Sequence, residues 1–156
     1  MYRALRGTAC ALAVVMLFAA SAEAIELQPG LWELTSKIDR NGTVSTRSPH
    51  SRCITAEAAK AARTKTDFDI SAGNKVRLSG RFGQDACKIV DRKNSRALMS
   101  WRLQCTGSPR VEQEGTARFD SPRHYVLVIR TSITAQDKTF TSVLTTEAQY
   151  KGECQR

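Results

Sequence analysis

The chain has 156 residues, of which 24 are Lys or Arg and 15 are Asp or Glu, so its formal net charge is +9. Hydrophobic residues make up 41% of it, and the mean hydropathy is −0.36. These values exclude a multi-span membrane protein and a fully disordered chain, and the length is typical of one domain. With 2 His and no nucleophile motif, the common hydrolase arrangements are hard to build.

Residues 1–24 have the pattern of a secretory signal peptide. Two arginines lie near its start, residues 9–20 are apolar, and Ala22-Glu23-Ala24 gives the small-x-small pattern that precedes cleavage. The apolar run is short for a helix that spans a membrane, although an uncleaved N-terminal anchor is the alternative. We therefore expect cleavage after Ala24 and a single exported domain over residues 25–156.

Four cysteines remain after the leader, because Cys10 is removed with it: Cys53, Cys87, Cys105 and Cys154. An even number in an exported chain indicates a disulfide framework, for which four cysteines allow three connectivities. We favour Cys87–Cys105, which flanks a predicted hairpin, with Cys53–Cys154, which ties the C-terminus to the region before a predicted helix. Zinc sites need close ligand pairs. The chain has no C-x-x-C, so no metal or other cofactor is expected.

Strands dominate the predicted structure, because apolar and polar residues alternate through most of the chain. In chain order, the predicted strands cover residues 31–38, 43–47, 74–82, 87–90, 99–105, 111–119, 124–133 and 139–150. Asn41-Gly42, a strong hairpin signal, joins the first two, and Pro49 is expected to interrupt the second. Gly115 predicts a bulge or bend within the sixth.

One short helix is predicted over residues 55–63, between the second and third strands. Thr55 is a suitable N-cap, and the alanines that follow favour helix propagation. A helix of two to three turns needs packing to persist. A polar loop over residues 64–73 comes next, with Phe68 and Ile70 as its expected anchors.

Residues 125–129 (YVLVI) are apolar on both faces, which is typical of a central strand that is covered on both sides. The Ala-rich helix is the favoured cover for the second face, because interiors are tightly packed; a curled sheet around an apolar interior is the other solution. The predicted fold class is mainly β. It is a single antiparallel, strongly curved sheet, a meander or partial barrel, with one short α-helix and two disulfides.

Five motifs, in this order, resemble those of a known family. They are Pro29-Gly30-Leu31-Trp32-Glu33-Leu34, Arg52-Cys53-Ile54-Thr55, Cys87 with Trp101 and Cys105, Glu114-Gly115-Thr116-Ala117, and Tyr150-Lys151-Gly152-Glu153-Cys154. The chain is similar to the domain of unknown function 3617 family of small exported bacterial proteins. The resemblance covers nearly all of the chain after the leader. It implies a Gram-negative periplasmic setting and paired cysteines, and it brings no established activity or functional residues.

Candidate catalytic arrangements in the sequence are incomplete. A Ser–His–acid triad needs His50 or His124 in a cleft beside a nucleophile, and no activating partner can be named for either. Glu112 and Glu114 share a strand face, as a pair of glycosidase carboxylates could, but nothing in the sequence gives them different environments. The sequence therefore favours a non-catalytic protein over an enzyme.

Basic residues give the clearest functional indication. Lys75, Arg77 and Arg81 share one face of a predicted strand, and the next hairpin carries Lys88, Arg92, Lys93 and Arg96. Such a stripe attracts anionic partners. Export argues against nucleic acid, and there is no RNA-stacking motif, whereas a periplasm offers anionic lipid head groups and acidic glycans.

The predicted function is a non-catalytic binding or envelope-associated module for an anionic or amphipathic ligand. Its predicted contacts are Lys75, Arg77 and Arg81, and after cleavage the chain is not expected to span a membrane. One alternative is a structural domain, or one that binds another periplasmic protein through an exposed sheet edge. The other is that the positive charge only favours solubility.

Overall fold

The computed structural model describes residues 25–62 and 87–154. Within these ranges the elements are β1 (Gly30–Arg40), β2 (Thr43–Ile54), α1 (Ala56–Ala61), β3 (Cys87–Asn94), β4 (Leu98–Cys105), β5 (Arg110–Ser121), β6 (His124–Ala135) and β7 (Lys138–Gly152). The expected leader lies outside the described residues. So do the strand predicted over residues 74–82, its Lys75, Arg77 and Arg81, and the loop anchors Phe68 and Ile70.

The seven strands form one antiparallel sheet in the order β2-β1-β7-β6-β5-β4-β3. Strands β3 to β7 follow one another as a meander, and β7 then pairs with β1, which also forms a hairpin with β2. The described strands do not close into a barrel, so β2 and β3 lie at the two edges. The predicted fold class is confirmed: mainly β, with a single antiparallel sheet, one short helix and two disulfides.

Strand alternation gives the sheet two different faces. The core face carries the fully buried side chains of Trp32, Leu34, Phe119, Tyr125 and Leu127. Helix α1 and the chain before β1 cover this face at one end, which we call the capped end, where Leu27, Ala59 and Ala62 join the same buried cluster. We call the opposite surface the outer face. The end with the turns at residues 41–42 and 136–137 is the open end.

The helix lies on the core face and leaves the outer side of β6 to other residues, contrary to expectation. Val126 and Val128 are half-buried on that side. Their register partners are Arg118 and Glu147 for Val126, and Thr116 and Thr145 for Val128. The aliphatic parts of such polar side chains cover apolar neighbours. Within the described ranges, polar neighbours rather than a second layer cover the outer face of this strand.

Pro49 and Gly115 affect their strands less than predicted. Strand β2 continues to Ile54, although its register with β1 shifts at Pro49, between the pairs Leu34–His50 and Ser36–Arg47. Proline is tolerated there because β2 is an edge strand. Gly115 makes no bulge, and the register runs unbroken through it on both sides. Its missing side chain leaves room for the ring of Trp101.

Helix α1 begins where its N-cap predicts. The Ala58 N–H donates to the Thr55 hydroxyl at 3.1 Å, which satisfies one of the donors left free in a first turn. The described helix ends at Ala61, and Arg63 lies outside the described residues.

Two disulfides join chain segments that are far apart in sequence or at an edge. Cys53–Cys154 links β2 to the chain after β7, and Cys87–Cys105 links register partners on β3 and β4. These are the two pairings favoured from the sequence.

At the capped end, the N–H groups of Ile25 and Gln28 donate to the carbonyls of Arg96 (3.0 Å) and Pro122 (2.8 Å).

Candidate functional site at the open end of the core face

The apolar surface of the core face extends beyond the buried core. Ile129 and Leu144, register partners on β6 and β7, are half-buried and continue it towards the open end. Ile133 and Phe140 are the next apolar pair on these strands, and they are 38% and 53% exposed. The tight turn at Gln136 and Asp137, both with positive φ, sets this register. The result is an exposed apolar pair, which the polar pair Thr131 and Ser142 separates from Ile129 and Leu144 on these strands.

The two faces of the described sheet differ in charge, because basic side chains lie on both faces and acidic side chains on the outer face. On the described strands, the Lys, Arg, Asp and Glu side chains that alternation places on the core face are all basic: Arg40, Arg47, Arg52, Arg92 and Lys138. The Asp and Glu residues that have a register partner on these strands lie on the outer face: Glu33, Asp39, Asp91, Glu112, Glu114 and Glu147. The strand charges of the core face are therefore all positive and lie on the two edge strands and at the open end.

Arg40 and Lys138 are the cations nearest the exposed pair. Lys138 precedes Phe140 by two residues on the same side of β7, and Arg40 pairs in register with Ser142, two residues after Phe140. Both cations are exposed. Neither has an ion pair among the described residues, although Asp137 lies in the adjacent turn. Phe140 and Ile133 thus have two available positive charges beside them.

Two other core-face arginines contact the buried interior. Arg52 is the register partner of Trp32. Burial raises the pKa of the Tyr125 hydroxyl, and the positive charge of Arg52 offsets this only in part. Nη2 of Arg92 lies 3.8 Å from the Met99 sulfur. These side chains hold positive charge at the margin of the core, whereas Arg40 and Lys138 extend it to the open end.

The histidines do not form a catalytic triad in the described structure. His124 lies on the outer face between two carboxylates, with Nδ1 2.8 Å from Asp120 and Nε2 3.1 Å from Glu147. Partial burial lowers the pKa of His124, but the hydrogen bonds to Asp120 and Glu147 outweigh it and the net pKa is raised. This arrangement favours an ion-paired imidazolium. His50 is exposed on β2.

Glu112 and Glu114 share the outer face, as their spacing predicts, and each is paired with an arginine. Glu114 accepts from Nε of Arg102 at 3.1 Å, and Glu112 lies 2.9 Å from Nη2 of Arg110. The side chain of Glu114 is 59% exposed and that of Glu112 is 44% exposed. The two exposed ion pairs lack the contrasting environments that distinguish an acid from a nucleophile in glycosidic hydrolysis.

The predicted basic contacts are distributed differently from the expected stripe. Lys75, Arg77 and Arg81 lie outside the described residues. The second basic group is divided: Lys88 and Lys93 are on the outer face, Arg92 is on the core face and Arg96 is in a turn. Lys93 also lies 3.8 Å from Asp91. In the described ranges, this hairpin therefore does not present one cationic surface.

Arg40 and Lys138 were not predicted as site residues. Alternation along residues 139–150 predicts that Phe140, Leu144 and Ala148 share one face, which the register confirms. The sequence could not show that Phe140 is 53% exposed, because exposure depends on which other segments pack over the core face. The sequence did contain one signal for Lys138. It lies two residues before Phe140, and residues two apart in a strand lie on the same face.

Residues 27–154 match the family described as Protein of unknown function (DUF3617). The chain belongs to this family. No curated protein and no solved structure matches the chain. In residues 25–62 and 87–154 of this DUF3617 protein, no helix is long and apolar enough to cross a membrane. The same ranges contain no group of three or more His, Cys, Asp or Glu that could hold a metal ion.

Proposed function

We propose that this DUF3617 protein is a non-catalytic, envelope-associated module of the periplasm that binds anionic lipid at the open end of its core face. The observation that carries the proposal is the exposed Ile133–Phe140 pair beside Arg40 and Lys138, on a face whose described strand charges are all basic. The leader-like pattern of residues 1–24 supports export.

An anionic lipid matches both parts of this surface. Its hydrocarbon would contact Ile133 and Phe140, whose exposed apolar area contributes about 25 cal/mol for each Å² removed from water. Its head group would lie near Arg40 and Lys138, and each basic residue near an anionic membrane contributes about 1 kcal/mol. Binding is therefore expected to be reversible and weakened by salt.

Vesicle binding tests the proposal. The wild-type protein should sediment with vesicles of phosphatidylethanolamine and phosphatidylglycerol, and should not sediment with vesicles of phosphatidylcholine. Phe140→Ser and Lys138→Glu should each reduce the bound fraction several-fold. Val44→Ser and Lys93→Glu are matched controls, because Val44 is 63% exposed and Lys93 is 79% exposed, both on the outer face. Equal loss in the controls, or binding that does not depend on anionic lipid, would overturn the proposal.

A second candidate is a partner-binding domain without a small ligand, which is favoured by the edge strand β2. Residues 43–51 of this strand are all exposed, and its only neighbour among the described strands is β1. An edge strand can pair with an extended segment of another protein. Pro49 and the nearby register shift limit such pairing to the first half of β2. If Ser45→Pro abolishes envelope association while Phe140→Ser has no effect, the second candidate replaces the first.

A further inference from the structure

A groove crosses the outer face of β4, β5, β6 and β7. Its volume is about 610 Å³, which lies in the range of small-ligand sites. The polar side chains that line it include Arg102, Gln104, Glu112, Glu114, Arg130 and Ser132. The groove lies on the opposite face of the sheet from Phe140, so it is separate from the proposed lipid surface.

Strand register places the groove side chains in two rows. One row contains Arg102, Glu114 and Arg130, which are consecutive partners across β4, β5 and β6. The next contains Gln104, Glu112, Ser132 and Thr141 across β4 to β7. Directly opposite residues have their Cβ atoms about 5 Å apart. The rows therefore place charged groups beside hydrogen-bonding groups.

Two arginines and two glutamates line the groove, and Arg110, which is paired with Glu112, adds a third positive charge beside it. Arg102 is paired with Glu114 at 3.1 Å, and Glu112 is paired with Arg110 at 2.9 Å. Arg130 lines the groove, is exposed and has no ion pair among the described residues, although Glu114 is its register partner. Glu114 forms its ion pair with Arg102 instead. One guanidinium is left to bind an anionic group.

We propose that this groove binds an acidic carbohydrate, a sugar that carries a carboxylate. Arg130 supplies the charge that matches the carboxylate, and Gln104 and Ser132 supply hydrogen bonds to sugar hydroxyls. The Arg102–Glu114 pair controls the charge of the groove, because Glu114 neutralises the second guanidinium. This inference is independent of lipid binding, since it uses the outer face alone.

The test is titration with a trisaccharide of galacturonic acid, monitored by amide NMR shifts and calorimetry. The neutral galactose trisaccharide and inorganic phosphate are the comparison ligands. Arg130→Gln should weaken binding of the acidic trisaccharide about tenfold or more. Glu114→Gln should strengthen it, because it releases Arg102. Arg118→Gln makes the same charge change as Arg130→Gln on the outer face outside the groove, and should leave affinity unchanged.

Opposite effects of Arg130→Gln and Glu114→Gln, with the Arg118→Gln protein unchanged, would support the site. The proposal is overturned if the neutral trisaccharide binds equally well, if phosphate alone produces the same shifts at the same concentration, or if no shifts occur near β5 and β6. Vesicle binding of the Arg130→Gln protein should equal that of the wild type. Loss of vesicle binding alone would count against the lipid proposal and leave this one standing.

Discussion

The indole ring of Trp101 occupies the position where a Cβ of Gly115 would lie. The two residues are register partners on β4 and β5, and Gly115 is followed across the sheet by Ile129. Glycine in a strand interior usually weakens the strand by about 0.5–1 kcal/mol relative to alanine. Here the missing side chain makes close packing of an aromatic ring possible.

We therefore predict that Gly115→Ala destabilises the protein by about 1–3 kcal/mol, because the added methyl group displaces the Trp101 ring. Urea unfolding followed by tryptophan fluorescence measures the change. Thr116→Ala is the control, since Thr116 is exposed on the outer face next to Gly115 in sequence. A Gly115→Ala protein that is as stable as the wild type would show that the ring moves without cost.

The two disulfides should differ in their contribution to stability. Cys53–Cys154 has a sequence separation of 101 and Cys87–Cys105 one of 18. In the chain-entropy account, loops of these lengths stabilise by about 4.7 and about 3 kcal/mol. The Cys53→Ser/Cys154→Ser variant should therefore lose about 1.5 kcal/mol more than the Cys87→Ser/Cys105→Ser variant. Urea unfolding under non-reducing conditions compares the two variants. Equal losses would show that the disulfides do not stabilise the protein mainly by restricting the unfolded chain.

Local patterns predicted the elements of this fold. Alternation predicts that Trp32 and Leu34 share one side of β1 and that Met99 and Cys105 share one side of β4, because the strand period is a property of neighbouring residues. All four side chains are buried. Pairing of β7 with β1 joins residues more than a hundred positions apart. No local pattern specifies such a partner, and the choice depends on the packing of the whole sheet.

The candidate sites depend on strand register more than the individual strands and the helix do. Arg102, Glu114 and Arg130 lie on three strands, and only the pairing of β4, β5 and β6 makes them one row. The exposure of Phe140 depends likewise on how the other segments pack over the core face. The sequence could predict the face of each of these side chains, but not which charge has a partner or which apolar side chain lacks cover.

The His124 cluster should give stability a defined pH dependence. The folded pKa of His124 is raised, so its contribution is complete below its ordinary pKa near 6.5 and is lost as pH rises through the folded value. Hydrogen bonding to His124 lowers the pKa of Asp120 below 3.8, so its contribution holds above that value and is lost as pH falls through the lower one. The cluster is strongest from about pH 4 to about pH 6.5.

His124→Gln should therefore cost about 0.5–1 kcal/mol in that window, which is typical of partly exposed ion pairs. The difference from the wild type should shrink above neutral pH. Urea unfolding at a series of pH values measures it, and Glu147→Gln should show the same trend with a smaller amplitude. A difference that grows from pH 6 to pH 9 would contradict the ion-paired arrangement.

Ser36 and Thr146 form a hydroxyl pair inside the sheet, with 2.9 Å between their oxygens. They are register partners on β1 and β7, 5% and 0% exposed. Ser36→Ala or Thr146→Val leaves the other hydroxyl buried without this partner, which costs about 1–3 kcal/mol. The double variant removes both polar groups and should cost much less than the sum of the single changes.

A double-mutant cycle measured by urea unfolding checks this expectation. Thr134 and Thr139 supply the control, because their hydroxyls are also close, at 3.1 Å, but exposed to water. Changing them to alanine should give a coupling energy near zero, since water replaces the lost partner. If the Ser36 and Thr146 changes are additive, the buried hydroxyls have other partners, and the pair does not contribute to the choice of β1 as the neighbour of β7.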